Sequence, residues 1–284
     1  MRWLRLITAF LGAALFRVQA APQTPAEIPF QFREGLIWVA VHIPQSVEPL
    51  NFLLDTGASA SVINLRTAQR LGLKQGKKAR VIGVHSTTVG YWPTRLASRL
   101  GGLALPEDYL AVDLQKLSEV CDSPVDGRVG VEFFRDRIVQ ADFAGRKIRV
   151  FSSESQSFPG EVVPLEIRGC AMRLPLSVNG GKSQWTRLDT GCASPLQWVP
   201  SNLRVKPRER RIAVGLDRVS IAQLTTRVRI GTTDIDGVPT GLHTKEIFPG
   251  EAGLLGNGIL ARFSSVTIDA ISGRVILGPR LIEP

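Results

Sequence analysis

The phrase Leu53-Leu54-Asp55-Thr56-Gly57-Ala58-Ser59 returns 134 residues later as Arg187-Leu188-Asp189-Thr190-Gly191-Cys192-Ala193-Ser194. Each copy ends an apolar, strand-like run, and the two copies stand in opposite halves of the 284-residue chain. A single Asp-Thr-Gly is an ordinary Asx-type turn, a common way to end a strand. Two copies at matched places restrict the chain far more, because they imply two related units, each presenting a carboxylate on a tight loop, with the carboxylates built to meet.

The flanking sequence keeps the same order in both halves. Leu36 to Ile43, a turn through Pro44 to Pro49, and Leu50 to Leu54 read as strand, turn and strand with Asp55 at the exit. Met172 to Val178, Asn179-Gly180-Gly181-Lys182 and Gln184 to Leu188 repeat this before Asp189, and Asn-Gly between strand patterns is a strong hairpin signal. After the first phrase Asn64 is placed to cap a short helix over Leu65 to Leu71, closed by Gly72. Pro195 and Pro200 predict a shortened or absent helix in the second half. A further strand pair follows in each, Arg80 to Val84 with Gly90 to Trp92, and Arg211 to Leu216 with Thr225 to Ile230.

Both halves close on an apolar-apolar-Gly marker, Val129-Gly130 and Leu255-Gly256, with an Asp 12 residues beyond the first glycine and 13 beyond the second. The expected organisation is a leader over 1–20, an N-terminal lobe over 21–151, a Ser- and Gly-containing linker over 152–160 and a C-terminal lobe over 161–284. Lobes of about 130 residues are ordinary single-domain size.

Arg2 and Arg5 precede the apolar stretch Leu6 to Phe16, which ends in the small-residue run to Ala20-Ala21. This reads as a secretory signal peptide, too short for a bilayer span of about 20 residues. An exported, periplasmic or secreted protein is therefore expected, without stable membrane insertion after cleavage. Loss of Arg2, Arg5 and Arg17 lowers the formal charge of +10 by three. The remaining basic residues are scattered, as in Arg204 to Arg211, without the interleaved aromatics of a nucleic-acid surface, and no nucleic-acid partner is expected. The three histidines and three cysteines show no metal-ligand spacing, so neither metal nor cofactor is expected. At most one disulfide can form among Cys121, Cys170 and Cys192. Cys192 is either a small buried residue or the partner of Cys170 or Cys121.

The paired Asp-Thr-Gly phrases and the two glycine markers, in this order over nearly the whole chain beyond the leader, resemble the aspartic proteases. The likeness is closer to the compact retropepsin-like bacterial branch than to the larger pepsins. The resemblance implies a mainly β fold, a two-lobed, pepsin-like (duplicated retropepsin-like) β-barrel architecture with few short helices. It implies that Asp55 and Asp189 form a catalytic dyad supported by Thr56, Gly57, Thr190 and Gly191, with the threonines hydrogen-bonding across the lobe interface. Two carboxylates in contact share one proton. One then serves as base toward water while its protonated partner polarises the scissile carbonyl of a polypeptide substrate. Because the duplication supplies both halves of the site, a monomer is expected. Two departures stand out: Ala58 and Cys192 occupy the place where pepsins carry Ser or Thr, and Cys192 is the more unusual.

A covering hairpin, or flap, is expected over Gly83 to Trp92, with His85 near its tip and Tyr91 or Trp92 in the aromatic flap role. Packing of both rings on the sheet is the other reading of those aromatics. Other hydrolytic motifs fail: Gly57-Ala58-Ser59-Ala60-Ser61 lacks the last glycine of a nucleophile elbow, no Walker loop occurs, and a glycosidase acid pair leaves Thr-Gly after each Asp unexplained. A non-catalytic peptide-binding or inhibitory protein on the same scaffold is the alternative function.

Overall fold

The computed structural model describes residues 25–84, 86–151, 157–200, 208–214 and 217–281. The expected leader, residues 152–156 of the expected linker and residues 204–207 of the basic stretch lie outside these. The chain is mainly β, as expected, and the described residues contain three short α-helices: Leu65–Arg70, Gln115–Val120 and Asn257–Leu260.

Three sheets organise it. The first draws all its strands from Gln31 to Val129, and the second all its strands from Glu166 to Leu255. In the first, Leu36–His42 is followed across the sheet by Leu50–Leu54, Gly127–Val129, Val62–Asn64, Asp108–Val112, Ser86–Arg95 and Lys77–Gly83. In the second, Ala171–Val178 is followed by Gln184–Leu188, Gly253–Leu255, Leu196–Trp198, Thr233–Leu242, Asp217–Ile230 and Arg208–Val214. The order is the same in both. In each, the strand that ends in Asp runs parallel to the strand that ends at the marker glycine. Parallel neighbours are found with both faces covered, and Phe52 to Leu54 and Gly253 to Leu255 are buried without alternation.

The third sheet takes three strands from each half, in the order Ala26–Pro29, Lys147–Phe151, Ile138–Asp142, Ser265–Asp269, Arg274–Leu277 and Glu161–Pro164. Its middle pair is antiparallel and places Val139 opposite Ile268. Gln140 Nε2 donates to Thr267 Oγ1 at 2.9 Å across this seam, satisfying two buried polar side chains. One apolar cluster runs from Ile28 and Phe52 in the first half through Val139 and Ile268 to Leu188 and Leu255 in the second.

Local signals act where expected. Asn64 Oδ1 accepts the Arg66 N–H at 3.2 Å, and the helix it caps ends at Arg70, one residue short of the expected boundary, with Gly72 at φ +65° beyond it. At the comparable place after the second Asp-Thr-Gly, residues 192–200 hold the strand Leu196–Trp198 and no helix.

The seam makes a direct prediction about stability. Ile268→Ala removes a buried side chain from it and should cost about 2–5 kcal/mol in urea unfolding. Ile271→Ala, three residues away but 44% exposed, should stay within about 0.5 kcal/mol.

Candidate active site

Each Asp-Thr-Gly loop is held first by its own half. The Asp55 N–H donates to Val129 O and the Asp189 N–H to Leu255 O, both at 2.9 Å, so the marker strand fixes the point where the chain leaves the sheet. The loop then passes directly over the marker glycine. A Cβ at Gly130 would overlap the Ala60 carbonyl, and one at Gly256 would overlap the Ser194 and Cys192 carbonyls. Only glycine admits that approach of backbone to backbone.

The loops are then fastened to each other. The Thr56 N–H donates to Thr190 Oγ1, and the Thr190 N–H donates to Thr56 Oγ1, both at 3.0 Å. Each hydroxyl passes its own proton to the opposite strand, Thr56 Oγ1 to Leu188 O at 2.7 Å and Thr190 Oγ1 to Leu54 O at 2.8 Å. Both threonines are buried, so the four bonds also satisfy polar groups that solvent does not reach. Asn257 Nδ2 braces the second loop by donating to Thr190 O at 2.7 Å and Gly35 O at 2.9 Å.

This clasp brings Asp55 and Asp189 together. A Cβ at Gly57 would stand 2.5 Å from Asp189 Cγ, and one at Gly191 would overlap the Asp55 carboxyl group. Each glycine thus makes room for the carboxylate of the other loop. Asp55 Oδ1 accepts the N–H groups of Gly57 and Ala58 at 3.0 Å, and Asp189 Oδ1 accepts that of Gly191 at 2.9 Å. Burial and then the neighbouring Asp55 charge push the Asp189 carboxyl up from its ordinary 3.8 to about 7, against the opposing pull of Arg187, Arg128 and the Gly191 N–H.

Two arginines complete the site, and neither was singled out from the sequence. Arg128 Nη1 lies 2.7 Å from Asp55 Oδ2, with the two side chains 11% and 2% exposed. Arg187 makes a two-pronged pair with Glu251, at 2.7 and 2.8 Å, donates to Gly57 O at 3.0 Å and stacks 3.8 Å from the centre of the Phe248 ring. The signal that reveals them is a mismatch between the halves. Arg128 stands where the second half has Leu254, and Arg187 where the first has Leu53.

A cleft of about 150 Å³ opens on the dyad. Its roof is the Lys77–Gly83 and Ser86–Arg95 hairpin, through Val81, Ile82, Gly83 and Val84. Val84 is buried and packs with Leu254, Ile247 and Phe248 of the other half. The proposed aromatic flap residues stand elsewhere. Tyr91 is half-buried against the main core and Trp92 is 38% exposed, and neither lines the cleft. The reason is reach: at about 3.3 Å per residue, six or seven positions from the turn place both rings some 20 Å back along the hairpin. His85 lies outside the described residues.

All three cysteines are free thiols. Cys192 is the small buried residue of the two readings, its N–H bonded to Asp189 O at 3.2 Å. Burial, followed by the Asp189 charge, pushes its thiol far up, which keeps it neutral. No group of three or more potential metal-ligating side chains occurs among the described residues.

Residues 39–133, which carry the first Asp-Thr-Gly phrase and its glycine marker, match the family model described as Aspartyl protease. The match therefore supports the resemblance through the first half of the chain. No curated protein gives a significant match.

Two predictions follow from the clasp and the dyad. Thr56→Val and Thr190→Val each strand a buried N–H and a carbonyl and should cost about 1–3 kcal/mol in chemical unfolding. The double variant should depart from additivity by at least about 0.5 kcal/mol, because each hydroxyl serves the other's loop. For the dyad, a carboxyl raised above its unfolded value binds its proton more tightly when folded. Its contribution to stability is full below about pH 4 and is lost as pH rises toward about 7. The Tm of Asp189→Asn relative to the unaltered protein should therefore increase from pH 4 to pH 8, and a flat difference across that range would contradict the assignment.

Proposed function

We propose that this chain is an aspartic endopeptidase in which Asp55 and Asp189 together activate water for attack on a peptide bond. The observation that carries the reading is the interlocking of the loops, with Gly57 set against Asp189 and Gly191 against Asp55. The family match supports a protease in general terms. The mechanistic detail rests on the pair of carboxylates.

In this reading the two halves are repeats of one β unit, and each gives half of a single site. A polypeptide lies extended in the cleft beneath the hairpin, with its scissile carbonyl over the dyad. One carboxylate takes a proton from the attacking water, and the other, protonated, donates to the carbonyl oxygen. The tetrahedral species then collapses with proton transfer to the leaving amine, and no covalent enzyme intermediate forms. Burial serves this chemistry, since a shared proton is retained toward neutral pH when the site is shielded from water. The reading includes export by the leader and a monomeric active form.

The test is incubation of the purified chain with a diverse synthetic peptide mixture from pH 3 to pH 8, read by mass spectrometry. Cleavage should occur, and Asp55→Asn and Asp189→Asn should each lower it by at least about a thousandfold while leaving the unfolding transition cooperative. Substantial turnover by either variant sinks the dyad. Peptide retention without cleavage at any pH would instead favour a binding or inhibitory protein on this scaffold.

A further inference from the structure

The strongest asymmetry in an otherwise matched site is the charge beside each carboxylate. The strand register pairs Arg128 with Leu53 in the first half and Arg187 with Leu254 in the second. Each half therefore has one leucine and one arginine below its dyad loop, on opposite strands. The consequence for the two carboxylates is unequal. Arg187 is held by its two-pronged pair with Glu251, and among the described residues its other contacts are the Gly57 carbonyl and the Phe248 ring. Arg128 places its charge 2.7 Å from Asp55 Oδ2 in a nearly solvent-free position.

Hydrogen bonding points the same way. Asp55 accepts three N–H donors, from Gly57, Ala58 and the Arg128 guanidinium. Among the described residues Asp189 accepts one, from Gly191. Donors on a carboxylate stabilise its ionised form, and a cationic donor does so most strongly.

We propose that Arg128 is a positioning residue that divides the labour of the dyad, holding Asp55 as the carboxylate and leaving the shared proton on Asp189. The proposal rests on the catalytic reading of the pair and deepens it. Among the described residues, the charged and titratable groups facing Asp55 and Asp189 are each other, Arg128, the Arg187–Glu251 pair and the Cys192 thiol. Arg187 favours an ionised Asp189, ahead of Arg128, but Glu251 stands on its guanidinium and no hydrogen bond joins it to Asp189 among the described residues. Arg128 is the one of the two arginines bonded directly to a carboxylate of the pair, and that carboxylate is Asp55. The raised titration of Asp189, which stems from burial and then from the Asp55 charge, agrees with a proton resting there.

The proton accounting is complete. Water gives a proton to Asp55 as its oxygen bonds the carbonyl carbon, and Asp189 gives its proton to the carbonyl oxygen as the C=O π bond breaks. The dyad then holds its one proton on Asp55, which gives it to the leaving nitrogen as the C–N bond breaks, while Asp189 takes a hydroxyl proton from the tetrahedral species as the carbonyl reforms. Arg128 stays protonated and exchanges none.

The experiment is carbon-13 NMR of the intact chain labelled at aspartate Cγ, titrated from pH 3 to pH 9. Asp55→Asn and Asp189→Asn serve to identify the two resonances. In the unaltered protein the Asp55 signal should stand at the ionised position wherever the Asp189 signal still reports a protonated carboxyl, and the Asp189 signal should titrate at about 7. Arg128→Leu, which copies Leu254 of the other half, should bring the two signals together, with the shared proton divided between the carboxyls. Arg128→Lys should keep them apart. If the proton is found on Asp55, or if Arg128→Leu leaves both titrations in place, the proposal is overturned. The unaltered protein and the lysine variant decide the matter even if the leucine variant does not fold. An ordered dyad in a chain that cuts no peptide would remove the catalytic reading and retain the proton assignment, whereas cleavage by a dyad with its proton on Asp55 would remove only the role of Arg128.

Discussion

Four hydrogen bonds between Thr56, Thr190 and the strands that deliver them set the separation of everything else in the site. Each hydroxyl accepts from the other loop's N–H and donates to the other half's strand. Neither loop can satisfy its buried polar groups without its partner, so the approach of the carboxylates follows from the cost of leaving those groups unpaired. The two acids are therefore brought into contact by their neighbours rather than by any attraction of their own. The third sheet supports the same approach from below, since its seam pairs Ile138–Asp142 with Ser265–Asp269. Clasp and seam hold the halves at two levels, which resists a hinge motion that would pull the acids apart.

A contact made in this way carries an electrostatic burden. Asp55 and Asp189 are buried beside each other, and the second ionisation of such a pair is opposed by both desolvation and repulsion. The arginines answer this burden unevenly. Arg128 pairs with Asp55 directly, while Arg187 works through Glu251 and the Gly57 carbonyl and so orders the loop. Leucine in place of Arg187 would leave Glu251 buried without its partner and Gly57 O without its donor, which is a cost to folding. Leucine in place of Arg128 would remove a cation from Asp55 itself, so the two departures from symmetry serve different ends.

The sequence made the short-range features legible. Asn179 and Gly180, at φ 51° and 72°, form the turn that Asn-Gly requires between Ala171–Val178 and Gln184–Leu188, and Asn64 caps its helix. The Asp-Thr-Gly phrases and the glycine markers were readable because backbone approach leaves glycine at fixed places. What escaped depends on partners distant in the chain. The pairing of Ala26–Pro29 with Lys147–Phe151 is set by packing against the seam rather than by a local pattern. Arg128 carried no local signal of its role, because its partner Asp55 lies 73 residues away. Tyr91 and Trp92 drew attention as aromatics in a hairpin, yet distance from the turn, not ring chemistry, decides what reaches the cleft.

Access to the dyad is governed by a smaller contact than the clasp. Val84 at the end of the Lys77–Gly83 strand crosses to the other half and buries its side chain against Leu254, Ile247 and Phe248. Burial of one valine contributes about 2 kcal/mol, too little to hold a cleft shut against a binding segment. Phe248 also lies under the Arg187 guanidinium, so the surface that Val84 leaves on opening belongs to a residue already fixed by another partner. Arg187 in turn keeps Glu251 and Gly57 O whether or not the hairpin is closed. The contacts thus separate two tasks. The hairpin meets the other half through the Val84 cluster, while the loops that aim Asp55 and Asp189 are clasped by bonds that do not involve it.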